Sequence, residues 1–441
     1  MNRFPLEAYL DVTRKISRFV HHGKVVQVIG LTIESIGPTA KVGDICWIYP
    51  VNRSTPCMAE VVGFRDDRVL LMPLGDLGAI GPGSEVRGTG RSLQVPVGKP
   101  LLGRILNGVG IPIDDLGPLP CKDEKPTDND PPNPLTRPTI RSPLSVGVRS
   151  IDGLLSVGRG QRIGIFAGSG VGKSTLLGMI ARNTSADVNV IALIGERGRE
   201  VREFIEKDLG AEGMARSVLV VATSDQPALI RIKGALIATT IAEYFRDQGL
   251  HVNLMMDSCT RFAMAQREIG LAVGEPPATK GYTPSVFALL PKLLERAGTG
   301  AGGTITGFYT VLVDGDDMND PIADAVRGIL DGHVVLSREL ANKGHFPAID
   351  VLASVSRVMN DLAAPEHRKA AVAFKKLAAI YRDAEDLIRI GAYQAGSNRE
   401  IDLAIELRER MNRFVRQEVD DKSDYVSSIQ ELIDLFEGVD V

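Results

Sequence analysis

The sequence predicts an α/β domain with a mainly parallel sheet, preceded by a small β-barrel and followed by a helical domain. Three patterns along the 441 residues predict this order. Short β-branched runs separated by turn residues fill residues 24–90, and buried apolar strands alternate with helical segments from about 157 to 350. After Pro365 only helical spacing remains. Because 44% of the residues are hydrophobic, a chain of this length has enough apolar surface for about three domains with their own cores.

The first domain is expected to be a closed all-β barrel over residues 23–92. Its β-branched runs are separated by Gly, Pro, Asn and Asp at intervals of about 8 to 12 residues, which is typical of small barrels. Ahead of it, an apolar stripe that includes Leu6, Leu10 and Val20 predicts a docking helix over residues 1–22. This helix either packs on its own barrel or docks on a partner or a membrane surface.

The remaining boundaries follow from proline content and strand pattern. Residues 93–145 form a linker or an extended wrap, because eight prolines between 118 and 143 prevent a lasting helix or central strand. Residues 146–362 form the α/β domain, and its apolar runs without alternation indicate a sheet that is covered on both faces. Residues 363–441 form the helical domain, with breaks at Gly391 and Gly396.

Composition excludes several classes of protein. The formal charge is -4, with 51 Lys plus Arg against 55 Asp plus Glu, which argues against a chain that mainly coats nucleic acid or an anionic membrane. Four scattered cysteines with no Cys-x-x-Cys spacing speak against structural zinc. No signal-peptide pattern and no run of 18 apolar residues is present, so we expect a soluble, unsecreted protein.

The strongest functional motif is a glycine-rich loop between a strand and a helix, the context that a phosphate-binding loop requires. Backbone N–H groups of such a loop bind phosphate oxygens, Lys173 adds a positive charge, and Ser174 is the expected Mg²⁺ ligand. The first position is Ala167 instead of glycine, so it must tolerate the turn without a positive φ. The predicted nucleotide-binding residues are Ala167, Gly168, Ser169, Gly170, Val171, Gly172, Lys173, Ser174 and Thr175.

Two carboxylates follow buried strands and are candidates for metal and water chemistry. Asp257 is the predicted Mg²⁺ partner, because ligands of open α/β sheets lie beyond the carboxyl ends of the strands. Glu196 would polarise the attacking water if its strand lies near that of the loop. The alternative is that Glu196 only pairs with Arg197 or Arg199. Arg197 is among the candidate catalytic residues, since phosphoryl transfer usually needs an arginine, but spacing alone does not identify which one.

Longer segments extend these motifs along the chain. They are residues 168–175, 194–200 (IGERGRE), 241–247 (IAEYFRD), 256–263 (MDSCTRFA), 274–287 (GEPPATKGYTPSVF) and 354–357 (SVSR). Together they resemble the rotary ATP synthase catalytic-subunit superfamily, and the resemblance spans almost the whole chain. Ala167 and residues 225–228 (DQPA), 313–321 (VDGDDMNDP) and 390–393 (IGAY) resemble its flagellum-specific type III secretion ATPases more than the synthase β subunit.

The resemblance implies an α/β, RecA-like P-loop ATPase core with an N-terminal β-barrel and a C-terminal helical domain, assembled as a homohexamer that hydrolyses ATP with Mg²⁺. It makes Lys173 the phosphate lysine and Ser174 and Asp257 the Mg²⁺-associated pair. Glu196 then becomes the water-activating carboxylate. Noncatalytic synthase subunits carry Gln at that position, so Glu196 indicates a working site.

Three further residues take roles only from the resemblance. Arg357 matches the arginine that reaches into the site of the neighbouring subunit, with a structural ion pair as the alternative. Phe346 matches an adenine-stacking position, with ordinary core packing as the alternative. Tyr393 is expected as a second wall for adenine.

The same resemblance implies a cytoplasmic enzyme associated peripherally with the inner face of the cell membrane at the flagellar base. Residues 1–20 would bind a stator-like regulatory protein, and the ring would serve an export gate, export chaperones and flagellar substrates. Alternatives are the virulence injectisome secretion ATPase, a nucleotide-bound structural ring subunit, and a Rho-like RNA translocase. Against the translocase, the barrel offers Trp47, Tyr49 and Phe64 for base stacking and no basic stripe, so we expect no nucleic-acid partner.

Overall fold

The computed structural model of the chain describes residues 21–52, 54–313 and 317–439. These residues form two compact units that divide between Leu93 and Gln94. Residues 1–20, which carry most of the predicted docking helix, lie outside the described ranges. No helix within those ranges is both long enough and apolar enough to cross a membrane.

The first unit is a closed barrel of six antiparallel strands, which confirms the predicted fold of this region. The strand order around the barrel is β1-β2-β5-β4-β3-β6. The strands are β1 (Gly23–Ile29), β2 (Thr32–Ile36), β3 (Ile45–Tyr49), β4 (Cys57–Arg65), β5 (Arg68–Pro73) and β6 (Glu85–Gly88). Alternating side chains fill the interior, because successive residues of a strand point to opposite faces. The core includes Val25, Ile33, Ile48, Val61, Leu71 and Val86.

The segment after the barrel is extended and belongs to the second unit. Its β7 (Gln94–Val97) and β9 (Asp123–Pro126) pair as an antiparallel ribbon. Further on, the Thr127 carbonyl accepts a hydrogen bond of 2.8 Å from Arg296, whose guanidinium pairs with Glu243 at 2.8 Å. Both side chains of this pair are buried. Polar contacts of this kind fix a proline-rich chain that has little secondary structure of its own.

The second unit is built around a nine-stranded sheet with the order β19-β18-β12-β17-β15-β13-β14-β8 and with β16 beside β17. Its strands are β8 (Ile105–Asn107), β12 (Arg162–Ala167), β13 (Val188–Ile194), β14 (Ser217–Ala222), β15 (His251–Asp257), β16 (Gly298–Thr299), β17 (Thr304–Leu312), β18 (Gly332–Leu336) and β19 (Ile349–Ser356). Along this order the neighbours are parallel except for β18 and β19. Every residue of β13 is buried, as expected for a strand covered on both faces.

Helices and short ribbons connect these strands. A two-stranded ribbon of β10 (Pro143–Leu144) and β11 (Val157–Gly158) precedes the sheet, and a π-helical turn at Phe204–Leu209 joins α3 to α4. The helices are α1 (Arg149–Leu154), α2 (Lys173–Asn183), α3 (Gly198–Glu203), α4 (Gly210–Ala215), α5 (Ala228–Asp247), α6 (Cys259–Val273), α7 (Pro284–Leu294), α8 (Pro321–Ile329), α9 (Arg338–Asn342) and α10 (Met359–Leu362). Because the parallel strands end at one edge of the sheet, the residues after β12, β13 and β15 gather there.

The C-terminal region is helical, as predicted, and consists of α11 (Pro365–Arg389), α12 (Arg399–Val415) and α13 (Tyr425–Leu435). Gly391 and Gly396 have φ angles of 70° and 86° between α11 and α12, which agrees with the predicted breaks. Asn398 caps α12 by accepting hydrogen bonds from two backbone N–H groups of its first turn. Asp424 starts α13 with a capping box.

The helical region shares its hydrophobic core with the α/β domain. One close contact lies at α1, where a β-carbon added to Gly153 would lie 2.7 Å from the Phe414 ring. The Gly153 carbonyl also lies 2.6 Å from Nε2 of the buried His367. Glycine is therefore required in the middle of α1 by close packing against α12.

Candidate nucleotide-binding and catalytic site

The glycine-rich loop joins β12 to α2, which begins at Lys173. Gly170 and Gly172 have φ angles of 77° and 89°, in the left-handed region that favours glycine. Ala167 is the last residue of β12 and has no positive φ, so the alanine causes no backbone strain. No side chain caps the N-terminus of α2, and its backbone N–H groups are therefore available to an anion.

Three charged side chains meet at the carboxyl edge of the sheet. Lys173 Nζ donates a hydrogen bond of 2.5 Å to Asp257 Oδ1 and lies 3.6 Å from Glu196 Oε1. The Lys173 and Glu196 side chains are 12% and 15% exposed, and Asp257 is buried. The fold thus brings together the phosphate lysine, the metal partner and the water-activating carboxylate that the sequence predicts.

Burial and mutual charge set the protonation of this cluster. Burial disfavours the ammonium form of Lys173, but the carboxylates of Asp257 and Glu196 outweigh this effect and raise the pKa of Lys173. Burial, followed by the negative charge of Asp257, raises the pKa of Glu196 to about 7, against the opposing effect of Lys173. Glu196 Oε1 has no hydrogen-bond partner among the described residues. The pKa of Glu196 therefore lies near neutral pH, and its Oε1 can accept a hydrogen bond or a proton from water.

The neighbouring arginines do not pair with Glu196. Arg197 donates a hydrogen bond of 3.1 Å to Glu200, and Arg199 lies 3.9 Å from Glu203. The alternative that Glu196 serves only as their ion-pair partner is therefore wrong. The Arg197 side chain is 79% exposed, so within one chain it points away from the charged cluster that it was expected to join.

Thr310 also donates a hydrogen bond to the buried carboxylate of Asp257. Its strand β17 lies between β12 and β15, and Thr310 is itself fully buried. The hydroxyl lies 2.8 Å from Asp257 Oδ1 and 3.3 Å from the Met256 carbonyl oxygen. The sequence motifs did not mark this threonine, because its proximity depends on the order of strands in the sheet.

Arg261 is a second residue that the sequence analysis missed. It lies in the first turn of α6, and a β-carbon added to Gly195 would be 2.7 Å from Arg261 Cβ. Its Nε is buried without a hydrogen-bond partner among the described residues. A guanidinium with an unpaired N–H next to the Glu196 segment is suited to an anionic group. Arg261 is part of the motif at residues 256–263, but residue spacing does not distinguish it from the other arginines of the chain.

The residues fit a Mg²⁺ ion that is bound together with nucleotide phosphates. Mg²⁺ prefers oxygen ligands and usually takes one or two from protein, with water and phosphate completing the shell. Ser174 is exposed in the first turn of α2, and Asp257 Oδ2 accepts no hydrogen bond from the described residues. Within the described ranges no cluster of three or more His, Cys, Asp or Glu residues is placed to hold a metal alone.

A cavity of about 530 Å³ opens beside the phosphate loop, between α2 and the end of α12. Phe346 lines it and is 48% exposed, so ordinary core packing does not explain this aromatic ring. A β-carbon added to Gly172 would lie 3.7 Å from the Phe346 ring, which places the ring against the loop. Met179 lines the cavity from α2, and Arg413 and Val419 line it from the helical region. The size and the mixed apolar and polar lining suit a nucleoside.

Tyr393 is not part of this cavity, which corrects the expectation of a second adenine wall. It lies in the turn between α11 and α12, where its hydroxyl is 2.9 Å from the Asn398 carbonyl and from Asp402 Oδ1. The hydroxyl therefore stabilises the turn of the helical hairpin. Residues such as Val419, which follow α12, line the cavity instead.

Arg357 lies at the opposite edge of the sheet from the phosphate loop of its own chain. Strand β18 begins at Gly332, which pairs with Ser356, and ends at Leu336, which pairs with Ala167. These four strand steps alone span about 13 Å. Arg357 is exposed and forms no ion pair with a described residue, which removes the alternative of a structural pair within the chain. Its guanidinium is consequently too far away to serve its own site.

Family models match three stretches of the chain. The ATP synthase alpha/beta family nucleotide-binding domain matches residues 147–356, and the beta-barrel domain of the same family matches residues 25–90. The T3SS EscN ATPase C-terminal domain matches residues 363–434. These three matches correspond to the central, barrel and helical parts of the fold described above.

Curated relatives and solved structures match over nearly the whole length. The flagellum-specific ATP synthase of Bacillus subtilis is 59% identical, covering 97% of this chain and 98% of that protein. The type 3 secretion system ATPase of Xanthomonas euvesicatoria is 52% identical, covering 93% and 92%. The assembled ATPase EscN of enteropathogenic E. coli superposes with a TM-score of 0.89 at 49% identity, covering 94% of this chain and 99% of that chain. Its complex with the central stalk EscO has a TM-score of 0.87 at 48% identity, with the same coverage.

Proposed function

The chain belongs to the ATP synthase alpha/beta family and is an ATP-hydrolysing enzyme, and we propose that it works as a homohexameric Mg-ATP hydrolase of bacterial flagellar protein export. The observation that carries the reaction is the placement of Lys173 within 2.5 Å of Asp257 and 3.6 Å of Glu196 at the mouth of a phosphate loop. The flagellar assignment is supported by the 59% identity to the Bacillus subtilis relative, against 52% to the type 3 secretion relative from Xanthomonas.

Each residue of the cluster has a different role in phosphoryl transfer to water. The uncapped N-terminus of α2 and the loop N–H groups bind the phosphates, and Lys173 leaves the carboxylates to face them. Glu196 orients the attacking water and accepts its proton, a role that suits a carboxyl with a pKa of about 7. Ser174 and Asp257 would hold Mg²⁺, which would supply positive charge at the phosphate oxygens. Catalysis is thus mainly positioning and electrostatic stabilisation.

The remaining charge on the transferred phosphoryl group is stabilised by Arg357 of the neighbouring subunit. The position of Arg357 at the far edge of its own sheet supports this role, because a closed ring of identical subunits places one face of each chain against the opposite face of the next. Arg261, and Arg197 after a side-chain rotation, add positive charge from the same chain. Phe346 stacks on the adenine ring at the entrance of the cavity.

The proposed partners rest on the similarity of the chain to its relatives. Residues 1–20 bind a stator-like regulatory protein, and the ring acts with an export gate, export chaperones and flagellar substrates at the inner face of the membrane. The structure of EscN with its central stalk supports a further stalk-like partner for the ring. The second candidate function is that of an injectisome ATPase, which the similarity to the Xanthomonas relative favours.

Complementation tests the assignment. The gene is expressed in a motile bacterium that lacks its flagellar export ATPase and, in parallel, in a strain that lacks its injectisome ATPase. We expect restored swimming in soft agar, no restored effector secretion, and no rescue by Lys173→Ala. Rescue of effector secretion alone would assign the chain to the injectisome. Phosphate release by the purified protein that depends strongly on single-stranded RNA would instead indicate a translocase.

A further inference from the structure

A buried hydroxyl donates a hydrogen bond to the carboxylate that is expected to face Mg²⁺. Thr310 Oγ1 is 2.8 Å from Asp257 Oδ1, and the residue is completely buried in the middle of the sheet. Its strand is fixed on both sides, since Thr310 pairs with Ile165 of β12 while the preceding Tyr309 pairs with Met256 of β15. The hydroxyl therefore has one well-defined position relative to the carboxylate.

Asp257 Oδ1 accepts two side-chain hydrogen bonds from the described residues, one from Lys173 and one from Thr310. Oδ2 is left without a hydrogen-bond donor from the same residues. When Lys173 moves to the phosphates of a nucleotide, Thr310 becomes the remaining donor to Oδ1. A carboxylate that keeps this bond keeps its orientation, with Oδ2 free of donors from the described residues, whereas one that loses it can rotate about its last torsion angle.

We propose that Thr310 is a positioning residue that holds the Asp257 carboxylate in the orientation required by Mg²⁺ once nucleotide has drawn Lys173 away. This inference rests on the proposed function of the site. Thr310 does not touch the nucleotide and acts only through Asp257. Outer-shell hydrogen bonds to metal-associated carboxylates typically contribute a factor of about 10 to 100 to metal affinity.

The test measures the binding of a fluorescent, non-hydrolysable ATP analogue to the purified full-length protein with Mg²⁺ and with EDTA. For the wild type we expect Mg²⁺ to lower the Kd. In Thr310→Val, which replaces the hydroxyl by a methyl group of similar size, this Mg²⁺-dependent gain should shrink by a factor of about 10 to 100, while the Kd in EDTA stays unchanged. Thr310→Ser restores the hydroxyl and should restore most of the gain.

Two controls separate positioning from packing. Thr239→Val removes another fully buried threonine hydroxyl, one that bonds the Ala235 carbonyl within α5, and should leave both Kd values unchanged. Thr310→Ala provides a second hydroxyl-free variant if the valine does not fold. A wild-type Mg²⁺ gain in both hydroxyl-free variants would overturn the inference, and so would an equal rise of the Kd in EDTA. A wild type with no Mg²⁺ gain would instead contradict the proposed function itself.

Discussion

Lys173 donates a hydrogen bond of 2.5 Å to Asp257 Oδ1. The ammonium group that is expected to bind the phosphates therefore pairs with two carboxylates at the edge of the sheet. The second is Glu196, whose Oε1 lies 3.6 Å from Lys173 Nζ. When a nucleotide binds, Lys173 has to exchange the carboxylate oxygens for phosphate oxygens. The lysine accordingly has a structural role as well as a role in phosphate binding.

Replacing Lys173 with methionine should affect stability as well as activity. The substitution leaves Asp257 and Glu196 without their shared counter-charge, and losing a hydrogen bond to a buried charged group costs about 1.5 to 3 kcal/mol. We expect a lower melting temperature at pH 8 and no measurable phosphate release. Lys292→Met, at an exposed lysine, is the control and should change neither quantity. An unchanged melting temperature of Lys173→Met would show that this pairing does not stabilise the fold.

The pH dependence of hydrolysis should report Glu196. Its pKa is raised to about 7 by burial and by Asp257, and a general base works only when it is deprotonated. We expect kcat/KM to rise with pH up to about 7 and then to level off. Glu196→Gln should lower kcat by a factor of about 10² to 10⁴. A wild-type profile that is flat from pH 5.5 to 8.5 would contradict the assignment of Glu196 as the base.

The same pKa shift has a consequence for stability. Between pH 4.5 and about 7 the folded state binds more protons at Glu196 than the unfolded state does, so the free energy of unfolding falls as the pH rises through this window. Relative to the wild type, Glu196→Gln should therefore become more stable across it. Urea denaturation of both proteins at pH 5 and pH 7.5 measures the difference. An equal difference at the two pH values would refute the raised pKa.

The exposed ring of Phe346 should contribute to nucleotide affinity. Stacking of a base on an aromatic side chain is worth about 1 to 3 kcal/mol, so Phe346→Ala should raise the KM for ATP by a factor of about 5 to 150. kcat should change much less, since none of the three charged side chains lines this cavity. Phe346→Tyr keeps the ring and should keep the KM. Phe64→Ala removes an equally exposed aromatic ring from the barrel and is the matched control.

The close contact between α1 and the helical domain predicts a destabilising glycine substitution. Gly153→Ala places a β-carbon 2.7 Å from the Phe414 ring and should lower the free energy of unfolding by about 1 to 3 kcal/mol through overpacking. Gly328→Ala is the control, because Gly328 also lies in a helix but has open space around its added β-carbon. It should be neutral or stabilising by up to about 1 kcal/mol. Equal melting temperatures for the two variants would contradict the packing of this interface.

Much of this architecture could be predicted from the sequence because its determinants are local. The barrel, the phosphate loop, the buried strands and the helical region each follow from residue periodicity or turn residues within short segments. Lys173 is predicted by the glycine-rich loop before it, and Asp257 and Glu196 are predicted because each follows a buried strand and parallel strands end at a common edge. Gly391 and Gly396 marked the turn between α11 and α12 because left-handed backbone favours glycine.

The features that escaped prediction depend on contacts between distant segments. Thr310 contacts Asp257 only because β17 lies between β12 and β15. No local sequence pattern predicts this order of strands. Tyr393 was misplaced because it caps a hairpin turn instead of reaching the nucleotide cavity. A glycine is also required at position 303, where an added β-carbon would lie 2.3 Å from the Leu250 carbonyl oxygen. This close approach of two backbone segments has no local signal in the sequence.

The central claim is that each catalytic site combines Glu196 and Lys173 of one chain with Arg357 of its neighbour, and mixed rings test it most directly. Arg357→Ala alone should lower turnover by a factor of about 10³ to 10⁵. In rings formed from equal amounts of Arg357→Ala and Glu196→Ala subunits, about one site in four is complete, so phosphate release should recover to about a quarter of the wild-type rate. Mixing Lys173→Ala with Glu196→Ala, whose defects lie in the same site, should give no recovery. Mixed Arg357→Ala and Glu196→Ala rings that release no more phosphate than the two variants do separately would contradict the account.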